Sequence, residues 1–203
     1  MRTDAAPVAR APAPRAPPAG AIDTLVALGP REAEVRDSAR RGDPPVTAAD
    51  RDELRRRTLL VPVAGVAPSS VLDTFGERRG GGARAHAALD IPAPRGTPVL
   101  SADAGRVLKL HTSRGGGLTI YVGDPSGRFI LYYAHLDGYR AGLAEGQLVR
   151  RGEVLGYVGT TGNAPPNVPH LHFAVARSND FTRWWAGTPL DPRPYLVDRS
   201  GNR

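Results

Sequence analysis

The sequence predicts a mainly β protein whose folded part is a single small, twisted antiparallel domain. Glycine and proline occupy 24 and 20 of the 203 positions, about twice their usual share, which favours tight turns over long helices. From residue 61 onward, short runs of β-branched and aromatic residues recur between clusters of glycine, proline, aspartate and serine. Closely spaced strands without a long helix between them indicate antiparallel pairing, because parallel strands need long crossover connections.

Two segments of different composition precede this domain. Residues 1–21 are rich in alanine, proline and arginine and have almost no bulky apolar residue, so we expect a disordered arm with some polyproline II structure. Residues 22–57 have a weakly helical composition and are interpreted as a linker. The domain boundary is therefore predicted near residue 58, with the domain covering residues 58–203.

A short helix is predicted at the end of this linker. Thr47 is a suitable N-cap residue, and Asp50 stands three positions later, where an acidic side chain can complete the cap. Asp52 and Glu53 precede Arg56 and Arg57 by four residues, which is the favourable order for ion pairs on an exposed helix.

Strands and turns follow one another in the predicted domain. Residues 123–127 contain two glycines, a proline and an aspartate, and they predict a hairpin turn between two strands. Residues 149–156 are also interpreted as a glycine-punctuated hairpin. Six runs have strand composition: residues 61–63, 97–100, 106–110, 118–122, 129–133 and 171–175.

Composition excludes several classes of protein. The formal net charge of +7 is spread along the chain, and arginine does not alternate with aromatic residues, so no nucleic-acid partner is expected. The absence of cysteine excludes disulfides, a thiol nucleophile and cysteine-ligated metals. No window approaches 18 apolar residues, so no transmembrane segment is expected.

Two pairs of residues in the predicted domain have the spacing of a shared site. His170 and His172 lie two positions apart in an apolar run, and on a strand both rings would leave the same face. A strand that served only the core would not place two titratable rings side by side. His86 and Asp90 lie four positions apart, which puts them on one face of either a helix or a strand.

These residue types point to a catalytic metal site. His86, Asp90 and one histidine of the second pair would supply two imidazoles and one carboxylate. Three such ligands leave a fourth tetrahedral position open for water, which is the catalytic rather than the structural zinc pattern. The metal would polarise a scissile carbonyl and lower the pKa of its bound water. His135 and the other histidine of the pair could then serve as general base and oxyanion stabiliser.

Structural roles are the alternative for each of these residues. His111 stands before a glycine-rich turn and is interpreted as a structural histidine, because a single buried imidazole bonded to a carbonyl is common. His135 taken alone would be interpreted in the same way, and only the paired clusters favour a site. Asp103 stands beside small residues and is expected in a turn or at the surface.

The same residues resemble those of lysostaphin- or LytM-type zinc metallopeptidases. The similarity extends over residues from about 61 to 195, which is nearly the whole predicted domain. Its main motifs are His86-x-x-x-Asp90, Tyr133-Ala134-His135-Leu136 and Pro169-His170-Leu171-His172-Phe173, and further ones lie at residues 75–78, 90–99, 159–162 and 185–192.

The resemblance implies a small twisted antiparallel or barrel-like β fold, the duplicated hybrid motif, with an active-site groove. It implies hydrolysis of peptide bonds in peptidoglycan stem peptides or cross-links by a metal-bound water. One Zn²⁺ per chain would be held by His86, Asp90 and His172. His135 and His170 would be the unliganded pair that positions or deprotonates the water and stabilises the tetrahedral intermediate.

Peptidoglycan is then the expected partner, and the periplasm or cell envelope is the expected location. Residues 1–21 lack the continuous apolar stretch of a secretory signal, so this location is inferred from the substrate.

Two other functions are considered. A catalytically silent relative that activates another cell-wall hydrolase is the alternative, with its protein partner unknown, and the presence of all five chemically relevant residues disfavours it. A biotinyl or lipoyl carrier is disfavoured because the only lysine, Lys109, lies in an apolar strand.

Overall fold

The computed structural model describes residues 42–79 and 84–203, so the predictions for residues 1–21 and 22–41 lie outside the described part. The described residues form one α-helix and thirteen strands, most of them antiparallel, which confirms the predicted fold class. The helix is α1 (Ala48–Arg57), and the strands are β1 (Leu59–Leu60), β2 (Arg78–Arg79), β3 (Arg84–Ala85), β4 (Leu89–Pro92), β5 (Pro98–Leu100), β6 (Gly105–Ser113), β7 (Gly117–Gly123), β8 (Phe129–Tyr139), β9 (Leu148–Val149), β10 (Val154–Val158), β11 (His170–Arg177), β12 (Thr188–Leu190) and β13 (Leu196–Val197).

Nine of these strands form one antiparallel sheet. Its main order is β12-β11-β8-β7-β6-β9, with β4 added beside β11 and with β10 pairing both β5 and β8. Strand β8 is the longest and changes partner along one edge, where it pairs first with β11 and then with β10. Two smaller sheets join β1 to β13 in parallel and β2 to β3.

The predicted hairpin turn at residues 123–127 joins β7 and β8. The Asp124 amide donates to the carbonyl of Phe129 at 2.9 Å and closes the hairpin. The Asp124 carboxylate accepts from the amides of Arg128 at 2.9 Å and Phe129 at 2.8 Å. Gly127 takes a left-handed φ of 72°, which a side chain would disfavour.

The hairpin predicted at residues 149–156 is wrong. The Glu153 amide does donate to the carbonyl of Arg150 at 3.0 Å, so a turn is present. However, β9 pairs with β6, while both edges of β10 are occupied by β5 and β8. No edge of β10 is left for β9, and the turn connects strands that do not pair with each other.

The first predicted strand is displaced. The structure places β1 at Leu59–Leu60, while Val63 makes only an isolated bridge to Val99. Pro62 explains the shift, because proline has no amide hydrogen to donate to a ladder.

Helix α1 begins at the predicted cap. The Thr47 hydroxyl accepts from the Asp50 amide at 3.2 Å, and the Asp50 carboxylate accepts from the Thr47 amide at 2.9 Å. One of the two predicted ion pairs is present, with Glu53 3.8 Å from Arg57, but Asp52 bonds Arg55 at 2.6 Å, three residues away, rather than Arg56.

Helix α1 also packs on the sheet. Leu54 is 1% exposed and belongs to the hydrophobic core. The buried Asp50 carboxylate accepts from Arg128 at 2.5 Å and from Arg177 at 3.0 Å, at the ends of β8 and β11. The boundary near residue 58 stays a prediction, and the helix before it contacts the core of the predicted domain.

A second set of buried ion pairs connects the C-terminal end of α1 to the sheet. The Arg57 guanidinium donates to Asp124 at 2.5 Å and also to Asp103. Asp103 lies in the bend before β6, as one of its two expected places, but it is buried rather than at the surface. Its partner lies 46 residues earlier, and no local pattern could have indicated the pair.

Across residues 42–79 and 84–203, no helix has the length and apolar character needed to cross a bilayer.

Replacing Leu54 tests the contribution of α1 to the core. We expect Leu54→Ala to lower the free energy of unfolding by about 2–5 kcal/mol, the usual cost of truncating a buried leucine. Arg56→Ala, on the exposed side of the same helix, is the matched control and should change it by less than about 0.5 kcal/mol. Urea denaturation measures both, and equal stabilities of the two variants would contradict the packing role.

The buried charge on α1 predicts a pH dependence of stability. Burial raises the pKa of Asp50, but hydrogen bonds from Thr47 and the charges of Arg177 and Arg128 outweigh it, so the pKa lies below its ordinary value. A depressed native pKa stabilises the fold above the unfolded-state pKa of about 4, and this stabilisation is lost as pH falls through the native value. Asp50→Asn should therefore destabilise the protein most at pH 7.

Urea denaturation of wild type and Asp50→Asn at pH 7 and at pH 3 measures this difference. Asp52→Asn, on the exposed face, is the control and should show a small effect at both pH values. An Asp50→Asn effect of the same size at both pH values would contradict the prediction.

Candidate metal centre

Three neighbouring strands bring the predicted site residues together. Strands β4 and β11 pair in the register that sets Asp90 opposite His172. On the other edge of β11, His172 faces Ala134 of β8, the residue before His135. The ring of His135 lies 5.0 Å from that of His170 and 5.5 Å from that of His172, measured between centroids. Both rings of the β11 pair therefore face one spot, as their spacing predicts.

Three donor atoms from this cluster lie within bonding reach of one ion. His86 Nε2 is 3.2 Å from His172 Nδ1 and 3.2 Å from Asp90 Oδ1, and the last two atoms are 3.0 Å apart. Zinc bonds of about 2.0–2.1 Å at tetrahedral angles place neighbouring donors about 3.3 Å apart. The three atoms thus form a triangle close in size to one face of a zinc tetrahedron, and the donor set fits this ion.

Hydrogen bonds at the back of the cluster orient the metal-facing groups. His86 Nδ1 lies 2.8 Å from the carbonyl oxygen of Thr74, which can only accept, so Nδ1 carries the proton and Nε2 keeps its lone pair. The Thr74 hydroxyl also accepts from the Asp90 amide at 2.9 Å. Thr74 therefore holds the segment that carries both His86 and Asp90, in the manner typical of residues behind metal ligands.

His135 and His170 are held in the same tautomer. Their Nδ1 atoms donate to the carbonyl oxygens of Thr161 and Val168, each at 2.8 Å. The Nε2 atom of each ring is therefore the one without a proton in the neutral form. His170 Nε2 lies 3.9 Å from Asp90 Oδ1, whereas His172 Nδ1 lies 3.0 Å from the same oxygen.

The burial of His135 keeps its imidazole neutral. Desolvation and the nearby charge of His172 lower the pKa of His135 to about 4. At neutral pH the ring is then uncharged and able to accept a proton.

His111 lies outside this cluster. Its ring packs against Trp184 at 5.1 Å between centroids. Trp184 in turn contacts Tyr121, which contacts Tyr132, and Tyr132 lies edge-on to His172 at 5.9 Å. A row of half-buried aromatic side chains therefore adjoins the centre on one side.

Sequence reasoning missed the residues that orient the histidines. Thr74, Thr161 and Val168 act through backbone carbonyls, which every residue type has, so composition gives no signal for them. The hydroxyl contacts of Thr74 and Thr161 are specific to their residue type, and the motifs at residues 75–78 and 159–162 were the only indication of them.

The fold and the site together indicate the class of protein to which this chain belongs. A small antiparallel sheet presents two imidazoles and a carboxylate to one point, beside two further imidazoles, as in metal-dependent hydrolases. The family model described as Peptidase family M23 matches residues 84–192, more than half of the chain and all five site residues. The chain belongs to peptidase family M23, which confirms the resemblance drawn from the sequence.

Three relatives illustrate this membership. The L-Ala–D-Glu endopeptidase of Bacillus subtilis is 38% identical over 133 residues, which cover 63% of this chain and 39% of that protein. The peptidoglycan DD-endopeptidase ShyC of Vibrio cholerae is 34% identical over 90 residues, or 44% of this chain and 20% of that protein. The catalytic domain of lysostaphin from Staphylococcus simulans superposes with a TM-score of 0.51 at 26% identity, covering 71% of this chain and 95% of that domain. The chain thus spans well under half of the two full-length relatives.

Removal of a ligand should release the metal. We expect His86→Ala, Asp90→Ala and His172→Ala each to lose bound zinc, because two remaining ligands cannot complete the site. His111→Ala is the matched control, since His111 lies outside the cluster, and it should keep its zinc. Metal analysis of the purified full chain measures both, and full zinc occupancy in His172→Ala would overturn the ligand assignment.

Proposed function

We propose that this chain is a zinc-dependent endopeptidase that hydrolyses peptide bonds in peptidoglycan stem peptides or cross-links. One zinc ion per chain would be bound by His86, Asp90 and His172. The observation that carries the proposal is the triangle of three donor atoms, 3.0–3.2 Å apart, beside the unprotonated Nε2 atoms of two further histidines. The Bacillus relative is an L-Ala–D-Glu endopeptidase and the Vibrio relative a peptidoglycan DD-endopeptidase, which supports this substrate class.

When bound, the zinc ion supplies a Lewis acid that polarises the scissile carbonyl and lowers the pKa of a coordinated water. His135 and His170 supply the proton transfers. Each has a buried ring with Nδ1 bonded to a carbonyl, so each can accept a proton only at Nε2. A ring that has taken a proton there becomes a charged donor, which can stabilise a developing oxyanion or pass the proton to the leaving amine.

This function places the protein at the cell wall. Peptidoglycan lies outside the cytoplasm, so we propose action in the periplasm or cell envelope. The second candidate is a catalytically silent regulator. All five residues of the site are present, which disfavours it, and the experiment below distinguishes the two.

Digestion of purified peptidoglycan tests the proposal. The wild-type chain should release peptide fragments that mass spectrometry detects and that a chelator abolishes. His135→Ala and His170→Ala should keep zinc but lower the rate by about 10²–10⁴-fold, the usual contribution of an acid–base group. His111→Ala, a histidine outside the cluster, should digest at the wild-type rate.

Each alternative outcome has a definite meaning. Wild-type rates in both His135→Ala and His170→Ala would remove these residues from the mechanism. A zinc-bound wild-type chain that releases no fragments would refute the proposed activity and favour the regulator.

A further inference from the structure

His135 has an unusual backbone. Its φ angle is 62°, in the left-handed region that residues with side chains seldom enter. The β7–β8 register explains this conformation. Leu118 pairs with Leu136 and Ile120 with Tyr133, so β8 contains one more residue than β7 over the same interval. His135 lies in the resulting β-bulge.

The bulge coincides with the change of partner on the other edge of β8. Strand β11 pairs with β8 up to Ala134, and β10 pairs with it from Leu136 onward. His135 is the residue between them and is paired with neither β11 nor β10. Its amide instead donates to the carbonyl of Gly116, in the turn before β7, at 2.8 Å. The regular ladder on that edge therefore does not fix the orientation of His135.

Thr161 makes three hydrogen bonds around this bulge. Its carbonyl accepts from His135 Nδ1 at 2.8 Å. Its hydroxyl donates to the carbonyl of Leu136 at 2.8 Å and accepts from the amide of Leu118 at 3.0 Å. The hydroxyl thus bridges β7 and β8 at the residue pair next to the bulge, while the carbonyl of the same residue holds the imidazole.

The loop that carries Thr161 is closely packed against the turn before β7. A Cβ on Gly117 would lie 2.2 Å from the Thr161 hydroxyl, and one on Gly162 would lie 2.3 Å from the carbonyl oxygen of Gly115. The amide of Asn163 also donates to that carbonyl at 2.9 Å. Both glycines are required for this approach, which keeps the loop in one place relative to the bulge.

We propose that Thr161 is a positioning residue for His135. Its hydroxyl fixes the loop to the two strands beside the bulge, and this places its carbonyl where it selects the tautomer and rotamer of the imidazole. The role in catalysis rests on the proposed function, whereas the effect on the ring does not depend on it.

Two substitutions of Thr161 separate positioning from packing. Thr161→Val keeps the shape and removes the hydroxyl, so kcat for cleavage of a soluble cross-linked muropeptide should fall about 10- to 100-fold with KM unchanged. Thr161→Ser keeps the hydroxyl and should restore kcat to near the wild-type value. Thr160→Val is the matched control, because the Thr160 hydroxyl makes no hydrogen bond with the residues that the structure describes. This variant should keep the wild-type kcat. Zinc content should stay the same in all three variants.

A second measurement does not require activity. Ring ¹⁵N NMR of the wild-type chain should show His135 as the Nδ1–H tautomer with a slowly exchanging proton, and Thr161→Val should lose that slow exchange. A wild-type Nε2–H tautomer would overturn the proposal even if the valine variant does not fold. Unchanged kcat and unchanged ring signals in a folded Thr161→Val would overturn it as well. If the wild-type chain cleaves nothing, the proposed function fails, and the NMR comparison still decides the role of Thr161.

Discussion

The position of β11 between β4 and β8 is the constraint on which the site depends. This strand carries His170 and His172, β4 sets Asp90 directly opposite His172, and β8 brings His135 beside them through the bulge that follows Ala134. Side chains alternate along a strand, so a shift of one residue in the β4–β11 register would turn Asp90 and His172 to opposite faces. Leu171 and Phe173 alternate with the histidines and are fully buried in the core. Packing of the core therefore fixes the register, and the register assembles the site.

A cluster of four imidazoles and a carboxylate is costly to bury unless each polar atom has a partner. The loops around the sheet supply those partners. The carbonyls of Thr74, Thr161 and Val168 each accept one Nδ1 proton, from His86, His135 and His170. These bonds satisfy the buried donors and leave Nε2 directed away from the loops. The contacts that satisfy the buried Nδ1–H donors thus also determine that Nε2 is the nitrogen free to bind a metal or accept a proton.

Local patterns predicted the features that local chemistry determines. Examples are the Thr47–Asp50 cap, the turn at residues 123–127 and the shared face of His170 and His172. Features that depend on distant residues were missed or wrong. Asp50 binds arginines 78 and 127 residues away, the strand after β9 has both edges occupied, and the bulge at His135 arises from a mismatch between two strands. Nothing in the neighbouring sequence carries that information.

The two histidines of β11 show what the spacing of residues in the sequence can predict and what it cannot. Spacing alone treats them as equivalent, but their positions opposite β4 differ. His172 is directly opposite Asp90, so its nearer nitrogen, Nδ1, comes within 3.0 Å of the carboxylate. His170 is opposite Pro92, and its Nε2 stays 3.9 Å from the same oxygen. His86 comes from outside the strand, turns Nδ1 back to Thr74 and reaches the carboxylate with Nε2. Exchange of the two roles would require β11 to move by two residues, which would also displace Leu171 and Phe173 from their places in the core.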